Sequence, residues 1–311
     1  MIVRWGLEEL PPLLGERPFL VASERWNGIV EAADRWSEIP SHRITVPDGC
    51  DVIVAVGGGS AIDTAKAASA ASGLPLVSVP TTYSGSEWTA FYGVRDPERR
   101  MQGGGAGAHL HAVVYEPTLT LELPRSETVG TALNALAHCA EALYVDGHNP
   151  EADAEALTGA RLIDEWLPRV VTEPETLQPR TELLRGACHA GSALGKSFLA
   201  LGHAMAQALG GHYGLPHGAM NALCLPPALR FNEEVAAEAV ARFGEALGTP
   251  DPATRVEELA RLGGFERLRD FGVPAEDLPE VAAAVVERAG AKANPRPAGA
   301  SDVEELLRSI W

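Results

Sequence analysis

The chain is expected to fold as an α/β domain on a mostly parallel sheet, followed by an all-helical domain. Three observations predict this. Short β-branched runs alternate with an Ala-rich helical stretch in the first third of the sequence. Such runs all but vanish after "LELP". The remainder is long Ala/Leu/Glu-rich segments of helical period. The boundary falls near residue 124, giving an α/β domain over 1–124 and a helical domain over 125–311. With 311 residues, 46% of them hydrophobic, the chain can build one large core or two ordinary ones.

The first domain reads in order as follows. "RPFLVAS" is a short apolar run closed by a turn. "DVIVAV", bounded by Asp51 and Gly57, has the unbroken apolar character of a strand buried on both faces. "SAIDTAKAASAAS" has helical spacing, with Gly73 as its C-cap. "LPLVSVPTT" and "HAVVYEP" read as further strands, the second closed by Pro117. Strands alternating with helices imply parallel pairing. "MQGGGAGAHLH" (101–111) is the one low-complexity stretch and is expected to be a mobile loop. In the second domain the periodicity predicts helices over 126–146, 150–166, 180–209, 217–231, 234–247, 252–263, 265–271, 276–289 and 301–310. Ser301 and Glu304 form a capping box for the last.

Composition narrows the function. The net charge is −17 and the sequence has no Lys/Arg cluster, so no face can displace counterions from nucleic-acid phosphates. No apolar run approaches the roughly 20 residues needed to span a bilayer. The N-terminal stretch has acids and prolines where a signal peptide has an unbroken apolar core. Cys50, Cys139, Cys188 and Cys224 form no CxxC pair, which suits reduced thiols in the cytoplasm.

Two groups of residues carry chemistry. In "VIVAVGGGSAIDTAK" a strand meets glycines and then a helix start. Glycine lets a ligand approach the backbone, and free N–H groups with the helix dipole favour an anion. Gly57, Gly58, Gly59 and Ser60 are therefore candidates for holding a cofactor's pyrophosphate, as in a dinucleotide-binding domain. Asp63 is expected in the first helical turn, capping exposed N–H groups. The next strand ends in "VPTTYSGSEWT", so Thr81, Thr82 and Ser86 belong to an adjacent turn. Ligands bind beyond the carboxyl ends of parallel strands, and the two turns suggest one site.

The second group is histidine-rich. "LGHAMAQALGGHYGLPHG" holds His203, His212 and His217, and "TALNALAHCAEALY" holds His138. Asn134 and His138, four apart, share a helical face, with Glu141 one turn further. His203 and Gln207 share a face of a second helix, and His217 opens a third. Polar sites in helical domains are built this way, from several inward-facing helices. Three imidazoles can bind zinc or iron. The neutral amide of Asn134 where a carboxylate would serve weakens that reading without excluding it.

These motifs resemble the iron-containing alcohol dehydrogenase family, and within it the maleylacetate reductases. "VGGGSAIDTAK" is similar to the family's cofactor-phosphate motif and "PTTYSGSE" to its reductase form. "YEPTLTLELP", "LNALAHCAEALY", "GHYGLPHG" and "NPRPAGASDVEELL" follow in the family's order, from about Asp51 to Trp311. The resemblance implies an NAD(P)-dependent oxidoreductase, using NADH or NADPH, with the cofactor between the two domains and a homodimeric assembly. It implies that a metal, where present, is held by His138, His203 and His217 with an aspartate at position 134. Asparagine there is the form of the reductases taken to work without metal. Arg100 lies near a family lysine position, and the resemblance implies that it touches the cofactor. Three departures stand out. The segment between "FLVAS" and "DVIVAV" is shorter by about one helix–strand unit. Gly202, Ala204 and Gln207 replace polar residues of the reductases. Asn221 follows the alcohol-dehydrogenase form.

The function expected is hydride transfer to a small carbonyl substrate, at C=O or at the C=C of maleylacetate, without metal. His203 is the favoured proton donor, with His138 and His217 as alternatives, and Asn134 orients the substrate. The alternatives are an Fe- or Zn-dependent alcohol dehydrogenase or aldehyde reductase, and an inactive homologue that keeps only the fold.

Overall fold

The computed structural model describes residues 1–97 and 101–311; the Arg100 expectation falls outside them. The chain forms two compact units. One is Met1–Thr82 with Ser86–Glu122, the other Tyr83–Gly85 with Leu123–Trp311.

The first unit contains strands β1 (Ile2–Trp5), β2 (Pro18–Ala22), β3 (Asp34–Trp36) and β4 (Val52–Gly57), then helix α1 (Gly59–Ser72). Strand β5 (Pro75–Pro80), the hairpin β6 (Tyr92–Arg95) and β7 (Met101–Gly105), and β8 (His109–Tyr115) follow. Six strands form one sheet in the order β1-β8-β5-β4-β2-β3, every pair parallel. Alternation along β4 explains its unbroken apolar sequence. Val52, Val54 and Val56 pack with Leu20, Val77 and Val114 on one face. Ile53 and Ala55 pack with Ile62, Ala65 and Ala68 of α1 on the other. Both faces are covered, so no position can be polar. Gly73 closes α1 in the left-handed region, as its sequence suggests.

The stretch 101–111, expected as a loop, instead lies largely in strands. Residues 101–105 form β7 and pair antiparallel with β6. Glycine lacks side-chain packing but keeps both ladder groups, and the Tyr92 ring lies over Gly105, close enough that a Cβ there would clash. Strands β1 and β3 escaped the sequence reading because each is short and only partly apolar. Between β2 and β4 there is no α-helix, in keeping with the shortened segment.

The second unit is helical: α2 (Arg125–Ala142), α3 (Pro150–Thr172), α4 (Leu177–Lys196), α5 (Leu201–Tyr213) and α6 (His217–Ala246), then α7 (Pro252–Arg261), α8 (Leu278–Val286), α9 (Ala289–Lys292) and α10 (Ala300–Ser309). The single helix expected over 180–209 is two. Ser197 leaves the helical region, Ala200 is extended, and the carboxylate of Glu141 accepts the N–H of Ala200, starting α5 afresh. The two helices expected over 217–231 and 234–247 run together, with a kink at Ala236. The helix expected over 265–271 reduces to a 3₁₀ turn, Leu268–Phe271. The cap of α10 is also corrected: Asp302, not Glu304, accepts the N–H of Gly299 at 2.8 Å. Among the described residues, no helix is long and apolar enough to cross a membrane.

Helices α2 and α6 cross where Gly130 meets Gly218, and a Cβ on Gly218 would overlap the Gly130 backbone. This approach brings Asn134 of α2 within reach of Asn221 of α6. Gly218→Ala is expected to push the helices apart and to cost about 1–3 kcal/mol, the usual penalty of overpacking. Urea denaturation checks it; an unchanged midpoint would mean that the crossing is loosely held.

Candidate active site

The glycine turn sits at the carboxyl end of β4. Gly57 has φ +154, and a Cβ there would stand 2.7 Å from that of Ala61. A Cβ on Gly58 would stand 2.8 Å from Cγ2 of Thr82. The turn is therefore shaped around missing side chains. The N–H groups of Ala61 and Ile62 already bond to Gly58 O, and no side chain caps α1, so the N–H groups of Gly59 and Ser60 lead the helix. The neighbouring turn is tied in: Gly57 pairs with Pro80, and Thr81 N–H donates to Gly57 O at 3.0 Å. Ser86 opens a short 3₁₀ turn at 86–88. The structure thus brings Gly57, Gly58, Gly59, Ser60, Thr81 and Thr82 together.

Asp63 does not cap α1. It lies beyond the first turn, where its carboxylate takes Lys66 Nζ at 3.2 Å and the N–H of Gly93 at 3.2 Å. Lys66, buried, also donates to Phe91 O. Asp63 and Lys66 thus join α1 to the β6–β7 hairpin.

In the helical unit Asn134, His138, His203 and His217 converge. The rings of His138 and His203 stack with centroids 4.7 Å apart, 15° from parallel. His217 lies 5.9 Å from His203. Asn134 Nδ2 donates to Ser84 O at 2.8 Å. Its Oδ1 accepts from Asn221 Nδ2 at 2.7 Å, and the same amide nitrogen faces His217 Nε2 at 3.0 Å. Asn221 therefore locks Asn134 to His217. His203 Nδ1 lies 2.7 Å from Glu141 Oε2, and this carboxylate, not Gln207, holds the ring. Burial, then the neighbouring His203 and His217 rings, hold His138 well below the ordinary imidazole range. His138 Nδ1 and His203 Nε2 are buried and have no hydrogen-bond partner. His212 stands apart, exposed, with its ring edge against Tyr213.

Glu141 and Asn221 are the residues the sequence reading left out of the site. The signal was present for the first: a lone acid in the apolar helix "LNALAHCAEALY", on the face of Asn134 and His138. For Asn221 the spacing of four from His217 on one helix was the clue.

A glycine turn at the carboxyl end of a parallel strand can take a phosphate, and a cluster of buried histidines can exchange protons. Two family profiles match, "Iron-containing alcohol dehydrogenase" over residues 43–115 and "Fe-containing alcohol dehydrogenase family, C-terminal" over residues 128–311. The chain belongs to the iron-containing alcohol dehydrogenase family. It is 38% identical to the maleylacetate reductase of Burkholderia cepacia over 85% of this chain and 74% of that protein. Among solved structures it is similar to an iron-containing alcohol dehydrogenase from Corynebacterium glutamicum, with TM-score 0.89, 29% identity and coverage of 100% and 94% of the two chains. It is similar also to maleylacetate reductase from Agrobacterium tumefaciens, with TM-score 0.88, 28% identity and coverage of 100% and 95%.

Proposed function

We propose that the chain is an NAD(P)H-dependent reductase of maleylacetate or a similar small keto acid, working without metal. The single observation that carries this beyond family membership is His203: a buried imidazole anchored at Nδ1, with Nε2 left for a substrate oxygen. The glycine turn suits the cofactor, since side chains are missing where a pyrophosphate needs room and N–H groups lead the helix there. Thr81, Thr82 and Ser86 are assigned to the nicotinamide side.

When bound, the dihydronicotinamide supplies a hydride to an electrophilic carbon. Whether that carbon is the carbonyl carbon or the far end of a conjugated C=C, the displaced electron pair ends on the carbonyl oxygen. The protein's task is to meet that charge. His203 donates its Nε2 proton to the oxygen and is recharged from solvent. His138, held neutral, is a poorer donor. His217 directs Nε2 to Asn221, so its role is orientation. Asn134, fixed at both ends of its amide, orients the substrate. Loss of nicotinamide absorbance with maleylacetate, against simple aldehydes as controls, tests the reading. Turnover of aldehydes alone would overturn it.

The donors support the metal-free assignment. Asn134 brings no charge, and its oxygen already accepts from Asn221. His217 Nε2 faces the same amide. A divalent cation would have to draw His138, His203 and His217 together without a carboxylate, which fits poorly. One observation favours the metal-dependent alternative: carboxylates such as Glu141 also back metal-bound imidazoles. Activity is expected to survive prolonged EDTA treatment, and purified protein to hold well below one equivalent of iron or zinc. Asn134→Asp is expected to raise zinc affinity, read by calorimetry. Activity lost on chelation and restored by metal would reverse the assignment.

We further propose a cytoplasmic homodimer. Cys50, Cys139, Cys188 and Cys224 are all outside disulfides, in keeping with a reducing compartment.

A further inference from the structure

We propose that Glu141 is the positioning residue of the reduction, acting through His203; this rests on the reading of His203 as proton donor. Glu141 is fully buried, its side chain 0% exposed. An acid in such a place is tolerated where donors converge on it. Three do: Ala200 N–H at 2.7 Å, His203 N–H at 3.0 Å and His203 Nδ1 at 2.7 Å. Two of the three are backbone amides at the start of α5, which no side chain of its own segment caps. One carboxylate from α2 therefore starts the helix that carries His203 and also anchors the ring of His203. Backbone and side chain of the donor are registered against the same two oxygens.

The chemical consequence follows from valence. Each oxygen of Glu141 accepts a backbone N–H, Oε2 from Ala200 and Oε1 from His203, and a carboxylate so held acts as acceptor, which places the shared proton on His203 Nδ1. Only Nε2 is left to exchange a proton. The His138 ring stacked on His203 resists rotation that would swap the two nitrogens. Donation requires a proton at Nε2 as well as the one held at Nδ1. The N–H bond at Nε2 breaks, an O–H bond forms on the substrate, and the neutral Nδ1–H tautomer remains without further rearrangement. The reverse step takes the proton back at the same atom. The carboxylate holds the ring's direction throughout.

The test is a double-variant cycle on the full chain. Glu141→Gln keeps the shape but puts an NH₂ group against N–H donors. It is expected to lower kcat by about 10–100-fold, the range for losing a partner that orients an active imidazole. KM and the NADH dissociation constant are expected to stay within a few-fold. In a His203→Ala background the same change is expected to alter kcat by less than about twofold, since the group it acts through is gone. Parental kcat in Glu141→Gln would overturn the proposal, as would multiplicative effects of the two substitutions. Parental kcat in His203→Ala alone would instead remove the underlying reading. Should Glu141→Gln fold poorly, ¹⁵N-histidine spectra of the unaltered protein decide. A slowly exchanging proton on His203 Nδ1 is expected, and a ring protonated only at Nε2 would overturn the assignment.

Discussion

His203→Ala is expected to lower kcat by about 10²–10⁴-fold, the range for losing a general acid, while cofactor affinity stays near parental. The size of the effect follows from the absence of a substitute. Burial and its neighbours push His138, stacked 4.7 Å away, toward the neutral imidazole, a far weaker acid than imidazolium. His217 faces the Asn221 amide through Nε2. His203→Asn is expected to fail similarly, because an amide can donate a hydrogen bond but cannot release a proton. Stability is a separate matter. Removing the ring leaves Glu141 with its two backbone donors but without the third, and a buried polar group left short of a partner costs about 1–3 kcal/mol. A lower melting temperature with unchanged kcat would mean a structural histidine. A kcat loss in protein that still binds NADH, seen by nicotinamide fluorescence, is the signature of the donor.

The fold was legible where local pattern and tertiary context agree. The valines and isoleucines of β4 are apolar on both faces because both faces are buried, and a parallel sheet follows from that. The convergence of Asn134, His138, His203 and His217 was legible from spacing on three helices. What escaped depended on contacts distant in sequence. Nothing in "GKSFLALGHA" announces a helix break; the break lies where Glu141, some sixty residues earlier, takes the N–H groups of Ala200 and His203. The glycines of β7 read as a loop because their strand is specified by Tyr92 on the partner strand. Gln207 looked like the natural neighbour of His203 at helical spacing. A charged acceptor from another helix holds that ring instead, with the stronger kind of hydrogen bond. Sequence spacing finds partners on one helix and misses those that cross between helices.

Gly58→Asp is expected to abolish useful cofactor binding while the protein remains folded, and the reason lies in what aspartate does at this position. Gly58 is the N-cap of α1, with φ −81 and ψ −170, a conformation open to any residue. Aspartate is among the preferred N-cap residues, since its carboxylate accepts N–H groups of the first turn. The new side chain must ease past Cγ2 of Thr82, 2.8 Å from the added Cβ, which a small side-chain shift allows. Once seated, it occupies the amides assigned to the pyrophosphate and sets a negative charge beside two more. At an effective dielectric near 20, one such contact at about 4 Å opposes binding by roughly 4 kcal/mol, about a thousandfold in affinity. The helix itself gains a cap, so the melting temperature is expected to hold or rise. The opposed signs separate this outcome from simple damage, which would lower both stability and affinity. Titration of nicotinamide fluorescence, with Gly58→Ala as the uncharged control, measures it. The alanine variant carries the Cβ clash without the charge and is expected to lose far less. If the aspartate variant binds NADH and NADPH as tightly as the parent, the pyrophosphate does not lie on this turn.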